Sequence, residues 1–456
     1  MSGIIGVYST KGDNVADLTY ASLVSLQERG QAAAGIAIAK DSIIPYKRRG
    51  GVREVIEPLF PFLLESSPFA SIGHSLYEMD APSQPIEPHT TGKRNISFAM
   101  DGYIPGRNVR ELADRFSKCF ENGDFYQGAD RFMSRYSGRG AYCITALIEE
   151  DEEISLVVLR DPKGIKPLCL GRKDDTYVVA SETCALDENY VEFVRDVEPG
   201  ELIVMTKDGL HSEIIKNEKH AHCMFEWIYF GNIRSSIEGI PVAEVREKLG
   251  KMLAQKYPLD VDIVGASPDS GRGVAQGFAD ELNVIKGRYI PYREAIIKKA
   301  GSPKTFQIEM EKARELAARH KFGIVAHYTE GKRIAVGEDS IVRGTVSKSG
   351  YVTLLRKLGG VKEVDIIVSC PPLVSPCFKK FDDSRIAAGL HGKPIEETNK
   401  IVADRIGADS VCYSTLDIAR EAIGLEDLCM GCLTTEYPIK KEFLPKGSGY
   451  SSTCDF

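Results

Sequence analysis

The stretch Val336-Gly337-Glu338-Asp339-Ser340-Ile341-Val342-Arg343-Gly344-Thr345 decides how the second half of this 456-residue chain is read. It continues the strand-like stretch RIA (Arg333 to Ala335), so a buried strand ends in two adjacent carboxylates. A hydroxyl, a glycine and the backbone amides of a turn follow, and a helix is expected over residues 350–358. Amides and hydroxyls in such a turn bind phosphate, while paired acids at a strand end hold ribose hydroxyls or a magnesium ion. A sugar phosphate answers both halves of the segment.

Outward from this loop, helices alternate with single buried strands. VDIVGAS (261–267) and VDIIVSC (364–370) read as strands, residues 242–256 and GVAQGFADEL (273–282) as helices. That rhythm predicts an open, mostly parallel sheet with its ligand at the carboxyl ends of the strands. Before residue 233 the texture differs. Short apolar runs such as GIIGVYS, AAAGIAIA, NISFAMDG and ELIVMTKDGLHSEII are broken by Asp, Lys and Gly turns, which predicts antiparallel hairpins, with helices over 15–29 and 107–120. Two domains are expected, 1–232 and 233–456, with a polar, poorly ordered tail from residue 437 on.

Composition excludes several classes. Lys plus Arg number 58 against 65 Asp plus Glu, a net charge of −7, which disfavours a nucleic-acid binder. No apolar run reaches the roughly 18 residues that span a bilayer, and MSGIIGVYST has no signal-peptide pattern, so a cytoplasmic protein with no membrane partner is expected. Eleven cysteines without the spacing of a secreted disulfide scaffold fit a reducing compartment.

The decapeptide, and DSIVRGT above all, resembles the phosphoribosyl pyrophosphate (PRPP) motif of the amidophosphoribosyltransferase family. LQERGQAAAGIA (26–37), RDPKGIKPL (160–168), VASET (179–183), FEWIYF (225–230) and CPPLVSPCF (370–378) extend the resemblance over nearly the whole chain. It implies an α+β N-terminal nucleophile glutaminase domain of four αββα layers, followed by an α/β type I phosphoribosyltransferase domain. The activity implied is transfer of ammonia to C1 of PRPP, giving phosphoribosylamine and pyrophosphate in purine synthesis. By resemblance Glu338 and Asp339 hold ribose and Mg2+, and Ser340, Arg343, Gly344 and Thr345 wrap the 5'-phosphate. Ser270, in the loop 267–271, contacts the pyrophosphate, and Thr305 supplies a further hydroxyl on the Mg2+ side. Glu338 replaces the family's first aspartate, and the closing loop 298–304 lacks the family's arginine and tyrosine.

The glutaminase half departs further. The family nucleophile is a cysteine opening the mature chain, whose own α-amino group is the base; here Ser2 follows a methionine that is readily removed. Leu76 stands where an arginine grips the glutamine carboxylate. Asp101, before Gly102, replaces an oxyanion-hole asparagine, a change from donor to acceptor that costs roughly 3 kcal/mol or more. Arg29 and Gly30 remain, as supports of the fold. Ammonia is therefore expected from solution or from a separate protein source rather than from glutamine. The alternatives are a regulatory paralogue that senses PRPP or a nucleotide beside an active enzyme, and a transferase that uses another amine.

By the same resemblance Cys223, Cys377, Cys429 and Cys432 are ligands of a [4Fe-4S] cluster, although four thiolates also suit zinc. Cys143, Cys169, Cys184 and Cys412 read as small buried hydrophobes. Purine nucleotides as regulators and a homo-oligomer complete what the resemblance implies.

Overall fold

The structure, a computed structural model, describes residues 2–77, 83–299, 311–378, 387, 389–444 and 451–452. Among them the N-terminal half builds two antiparallel sheets. One runs Glu192–Asp196, Cys169–Lys173, Thr176–Ala180, Ser2–Ser9, Ala70–Leu76, Ala33–Ala39 and Ile43–Arg49 in spatial order. The other runs Gly209–Ile214, Glu201–Thr206, Glu153–Arg160, Ala141–Glu150, Arg94–Tyr103 and Ile86–Thr91. Side chains of a strand point alternately to opposite faces, and the central strands here bury both. Ile4 and Tyr8 enter the core between the sheets, whereas Ile5 and Val7 pack outward under the helix Ala16–Ser25. On the second sheet Cys143 and Leu147 face inward, and Ile144, Ala146 and Ile148 pack under the helices Val109–Cys119 and Phe125–Tyr136. Each of those helices begins at a side-chain cap: Asn108 accepts from Glu111 N at 3.0 Å, and Asp124 from Gln127 N at 2.8 Å. The result is helix, sheet, sheet, helix, the four layers expected.

The C-terminal half carries a four-stranded parallel sheet, Ile263–Ala266, Arg333–Glu338, Glu363–Val368 and Ser410–Tyr413 in that order. Ile334 and Val336 face one core with Val364, Ile366 and Val402, while Ala335 faces the other with Val274 and Phe278. Helices Val242–Lys256 and Arg272–Lys286 cover that second face.

Three expectations are corrected. The helix expected over 350–358 starts earlier, as a wide-turned segment Val346–Val352 that passes at Gly350 into Thr353–Lys357. Lys298, the first residue of the expected closing loop 298–304, instead ends the strand Ile296–Lys298, which pairs antiparallel with Phe322–Ile324 as a ribbon too brief to carry a strand pattern; residues 300–304 lie outside the described residues. The tail does not loosen at residue 437: Tyr437 and Ile439 are fully buried, because the Tyr437 hydroxyl bonds Ser375 Oγ and Pro376 O. Among the described residues no helix is long and apolar enough to cross a membrane.

Candidate active sites

Glu338 and Asp339 end the strand Arg333–Glu338 at the carboxyl edge of the parallel sheet, both buried. Asp339 accepts the hydroxyl of Ser270 on Oδ2 and that of Ser340 on Oδ1, the latter at 2.7 Å, and its own amide donates to Glu338 Oε1 at 3.2 Å. Ser270 reaches it because loop 267–271 lies tight on the strand end. Ser267 N donates to Gly337 O at 2.8 Å, and a Cβ at Gly271 would stand 2.3 Å from that same carbonyl, so glycine is required there. Burial raises the Glu338 carboxyl well above the usual range, and the adjacent Asp339 adds to it; burial raises Asp339 too, against the Ser270 and Ser340 hydrogen bonds. Arg246 and Lys321 are nearby cations, each lowered by burial against the pull of the acids, Asp339 on Arg246 and both Glu338 and Asp339 on Lys321. Beyond the acids the chain turns at Gly344, φ +74°, and Thr345 directly precedes the segment Val346–Val352. Arg343, half-buried, lies in the same turn. The structure thus brings Ser270, Glu338, Asp339 and Ser340 together; Thr305 lies outside the described residues.

The second site forms where the first strand meets Asp101. Ser2 N donates to Asp101 Oδ1 at 2.9 Å, and Ser2 O accepts from Arg29 Nε at 2.9 Å. Gly102, next to Asp101, has φ +150°, and a Cβ there would collide with Ala141 O at 2.1 Å. Leu76 is buried and sits in register with Ser2. Arg29 does more than support the fold. Its guanidinium meets Asp101 at 3.2 Å, Glu182 at 2.6 Å and Glu226 at 3.0 Å, and Lys166 meets Glu226 at 2.5 Å, all five side chains at most 2% exposed. Burial opposes the charge of Glu226, but Arg29 and Lys166 outweigh it and hold the carboxyl down to about 2. His74, on the neighbouring strand, is pushed down to about 4 by burial.

Lys166, Glu182 and Glu226 went unassigned in the sequence, although each lies in a stretch that carries the resemblance. A signal was available in their type: charged residues within otherwise apolar runs must be paired when buried. The short helix Glu226–Phe230 joins the two sites, with Glu226 in the charge network and Tyr229 within the electrostatic reach of both Asp339 and Tyr77.

The four expected cluster cysteines converge between the halves. Cys223 and Cys429 are register partners in a short parallel pairing, and Cys377 packs against the same apolar cluster. Cys432 lies within electrostatic reach of Cys377, Cys223 and Cys429, and its carbonyl accepts from Val374 N and Ser375 N at 3.1 Å. Burial raises the Cys223 thiol to about 11, with Lys166 opposing, and raises Cys429 and Cys432 further. Among the described residues no three His, Cys, Asp or Glu side chains form a group that could hold a single metal ion. Cys143, Cys169, Cys184 and Cys412 are buried free thiols, as expected.

No protein-family model matches the chain. It is 34% identical to the amidophosphoribosyltransferase of Methanocaldococcus jannaschii, over 97% of this chain and 98% of that one. It is 36% identical to the one from Pyrococcus horikoshii, over 96% of each. Among solved structures it superposes, with a TM-score of 0.81 and 31% identity over 96% of this chain and 97% of the other, on the glutamine PRPP amidotransferase of Bacillus subtilis in complex with ADP and GMP. Likeness of that extent, on a four-layer domain joined to a parallel sheet with two acids at its carboxyl edge, makes this chain a member of the amidophosphoribosyltransferase family.

Proposed function

We propose that this chain transfers ammonia to C1 of PRPP, releasing pyrophosphate and forming phosphoribosylamine for purine synthesis, and that the ammonia comes from solution or a separate protein. The observation that carries the transferase half is the buried Glu338–Asp339 pair at the strand end, with Ser270 and Ser340 hydroxyls on Asp339. The ammonia nitrogen bonds to C1 as the C1–oxygen bond to pyrophosphate breaks, and the nitrogen loses a proton. Positive charge develops on the ribose in between, and fixed carboxylates in a buried site stabilise it without reorganising. The Ser270 and Ser340 hydroxyls hold Asp339 in one orientation, while Arg343, Gly344 and Thr345 take the 5'-phosphate. The acid pair fits Mg2+, held by Glu338, Asp339 and Thr305; when bound, the ion neutralises the leaving pyrophosphate. PRPP-dependent pyrophosphate release with magnesium and ammonium, lost in Asp339→Asn, tests this half.

Dependence on free ammonia is supported by the other site. Asp101 presents an acceptor where a developing oxyanion needs a donor, and one of its oxygens already takes Ser2 N. The apolar Leu76 side chain offers no bidentate partner for the glutamine carboxylate.

The quartet fits a [4Fe-4S] cluster. Thiols gathered this closely, with Cys223, Cys429 and Cys432 each raised by burial, ionise together only around a strongly positive centre, and a cubane accepts ligands spread more widely than one ion does. Held by Cys223, Cys377, Cys429 and Cys432, it would tie the C-terminal arm to the N-terminal half. Purine nucleotides as regulators, supported by the ADP and GMP in the Bacillus subtilis relative, a homo-oligomer and a cytoplasmic setting complete this reading.

A further inference from the structure

A cavity of about 320 Å³ opens between the helices Val109–Cys119 and Phe125–Tyr136 on the outer layer of the N-terminal half, away from both sites above. Its lining is Arg115, Lys118, Cys119, Arg131 and Arg135, with no carboxylate among them. Helical spacing explains the convergence: Arg115 and Cys119 lie one turn apart on one helix, Arg131 and Arg135 one turn apart on the next.

The four cations are not equally engaged. Arg131 is fixed, with Nε and Nη2 donating to Cys119 O at 2.9 and 2.6 Å. Lys118 pairs with Asp114 at 2.9 Å in an exposed bridge of the kind that contributes little. Arg115 and Arg135 make no hydrogen bond or ion pair among the described residues, and both are exposed. Their field, with that of Arg131, falls on the Cys119 thiol, and theirs falls again on the buried Tyr136. Like charges one turn apart repel, and here two such helices face one another across a concavity. In a chain of net charge −7 that arrangement is a local excess of positive charge, offset among the described residues only by the exposed Lys118–Asp114 bridge.

We propose that this groove binds a small phosphate-bearing anion, either inorganic pyrophosphate or the diphosphate end of a nucleotide. Guanidinium forks match phosphoryl oxygens two at a time, and a cavity of this size lies at the small end of ligand sites. A concave site with four cations suits one or two phosphoryl groups; nucleic acid would need a longer basic track. The inference is independent of the transferase reading, since none of its residues touches the acid pair.

Equilibrium dialysis of the full chain against labelled pyrophosphate, with the Arg115→Gln/Arg135→Gln double variant alongside, tests it. Both arginines are exposed, so the variant keeps its fold, and unchanged pyrophosphate release from PRPP verifies that. The wild type should bind one more pyrophosphate per chain than the variant, or bind it at least about tenfold more tightly at that site. Displacement by ADP but not adenosine assigns the site to a nucleotide diphosphate; failure of ADP to displace assigns it to pyrophosphate itself. Equal pyrophosphate binding by the two proteins overturns the proposal. Alkylation of Cys119 gives a second reading at the site: pyrophosphate should slow it by several-fold in the wild type only, and an unchanged rate also overturns the proposal.

Discussion

Asp101 holds Ser2: its Oδ1 accepts the Ser2 backbone nitrogen at 2.9 Å, while its Oδ2 meets Arg29 at 3.2 Å. A carboxylate placed beside the first strand therefore closes a buried charge network that runs through Arg29, Glu182, Glu226 and Lys166. In that geometry Asp101 fastens the start of the chain, and it cannot also donate to an oxyanion.

Restoring the family's residues should reopen the site. The triple variant Ser2→Cys, Leu76→Arg, Asp101→Asn is expected to raise glutamine hydrolysis by at least about a hundredfold, the scale of one oxyanion-hole donor. Glutamate release from glutamine measures it. No rise would show that the pocket is altered beyond these three positions.

Glu226 is the acid shared by two buried cations, so removing it leaves Lys166 without its ion pair and Arg29 with only Asp101 and Glu182. Glu226→Ala should lose about 3–5 kcal/mol of stability in denaturant unfolding. Replacing Arg29 in the same background should cost much less than it does alone, because the two residues act as a unit.

Acid should destabilise the N-terminal domain in two stages. His74 has its pKa depressed from 6.5 to about 4 by burial, so its contribution is complete above about 6.5 and lost as pH falls toward 4. Glu226 is depressed from 4.5 to about 2, so its contribution is lost below 4.5. Burial raises Asp161 and Asp196 to about 6, which works in the opposite direction across the same window, so the His74 contribution is read as a difference: wild type should lose more melting temperature than His74→Asn between pH 6.5 and 4. Parallel curves for the two proteins in that window would refute the first stage.

Much of this was legible in the sequence because it rests on local pattern. The alternating strands, the acids 338–339 and the loop at Ser270 carry their pattern in a few consecutive residues, and the structure brings Ser270 onto Asp339 at the end of the parallel sheet. The Arg29 network was not legible, since its five members are spread from Arg29 to Glu226 and meet only when two sheets and a short helix close on one another. Tyr437 was misjudged for a related reason. The polar residues around it suggested a loose tail, and only the distant Ser375 and Pro376 explain its burial.

The cysteine quartet makes a visible prediction. Protein purified without oxygen should be brown, with the broad visible absorption expected for thiolate-bound iron and sulfide. Cys429→Ser should bleach it and lower the melting temperature by several degrees, because the cluster would join the C-terminal arm to the N-terminal half. Colourless protein with bound zinc would contradict the assignment.

Ser270→Ala removes one of two hydroxyls that orient Asp339. A lost hydrogen bond to a charged group is worth about 1.5–3 kcal/mol, so turnover with ammonium should fall roughly ten- to a hundredfold. Asp339→Asn should fall further. Equal rates in all three proteins would separate the acid pair from the chemistry.

The most direct measurement is pyrophosphate release from PRPP by anaerobically purified protein with magnesium, run with no amine, with ammonium and with glutamine. Release with ammonium and not with glutamine is the expected result. Release with glutamine would contradict the reading of Ser2, Leu76 and Asp101, and silence in all three would contradict the transferase itself.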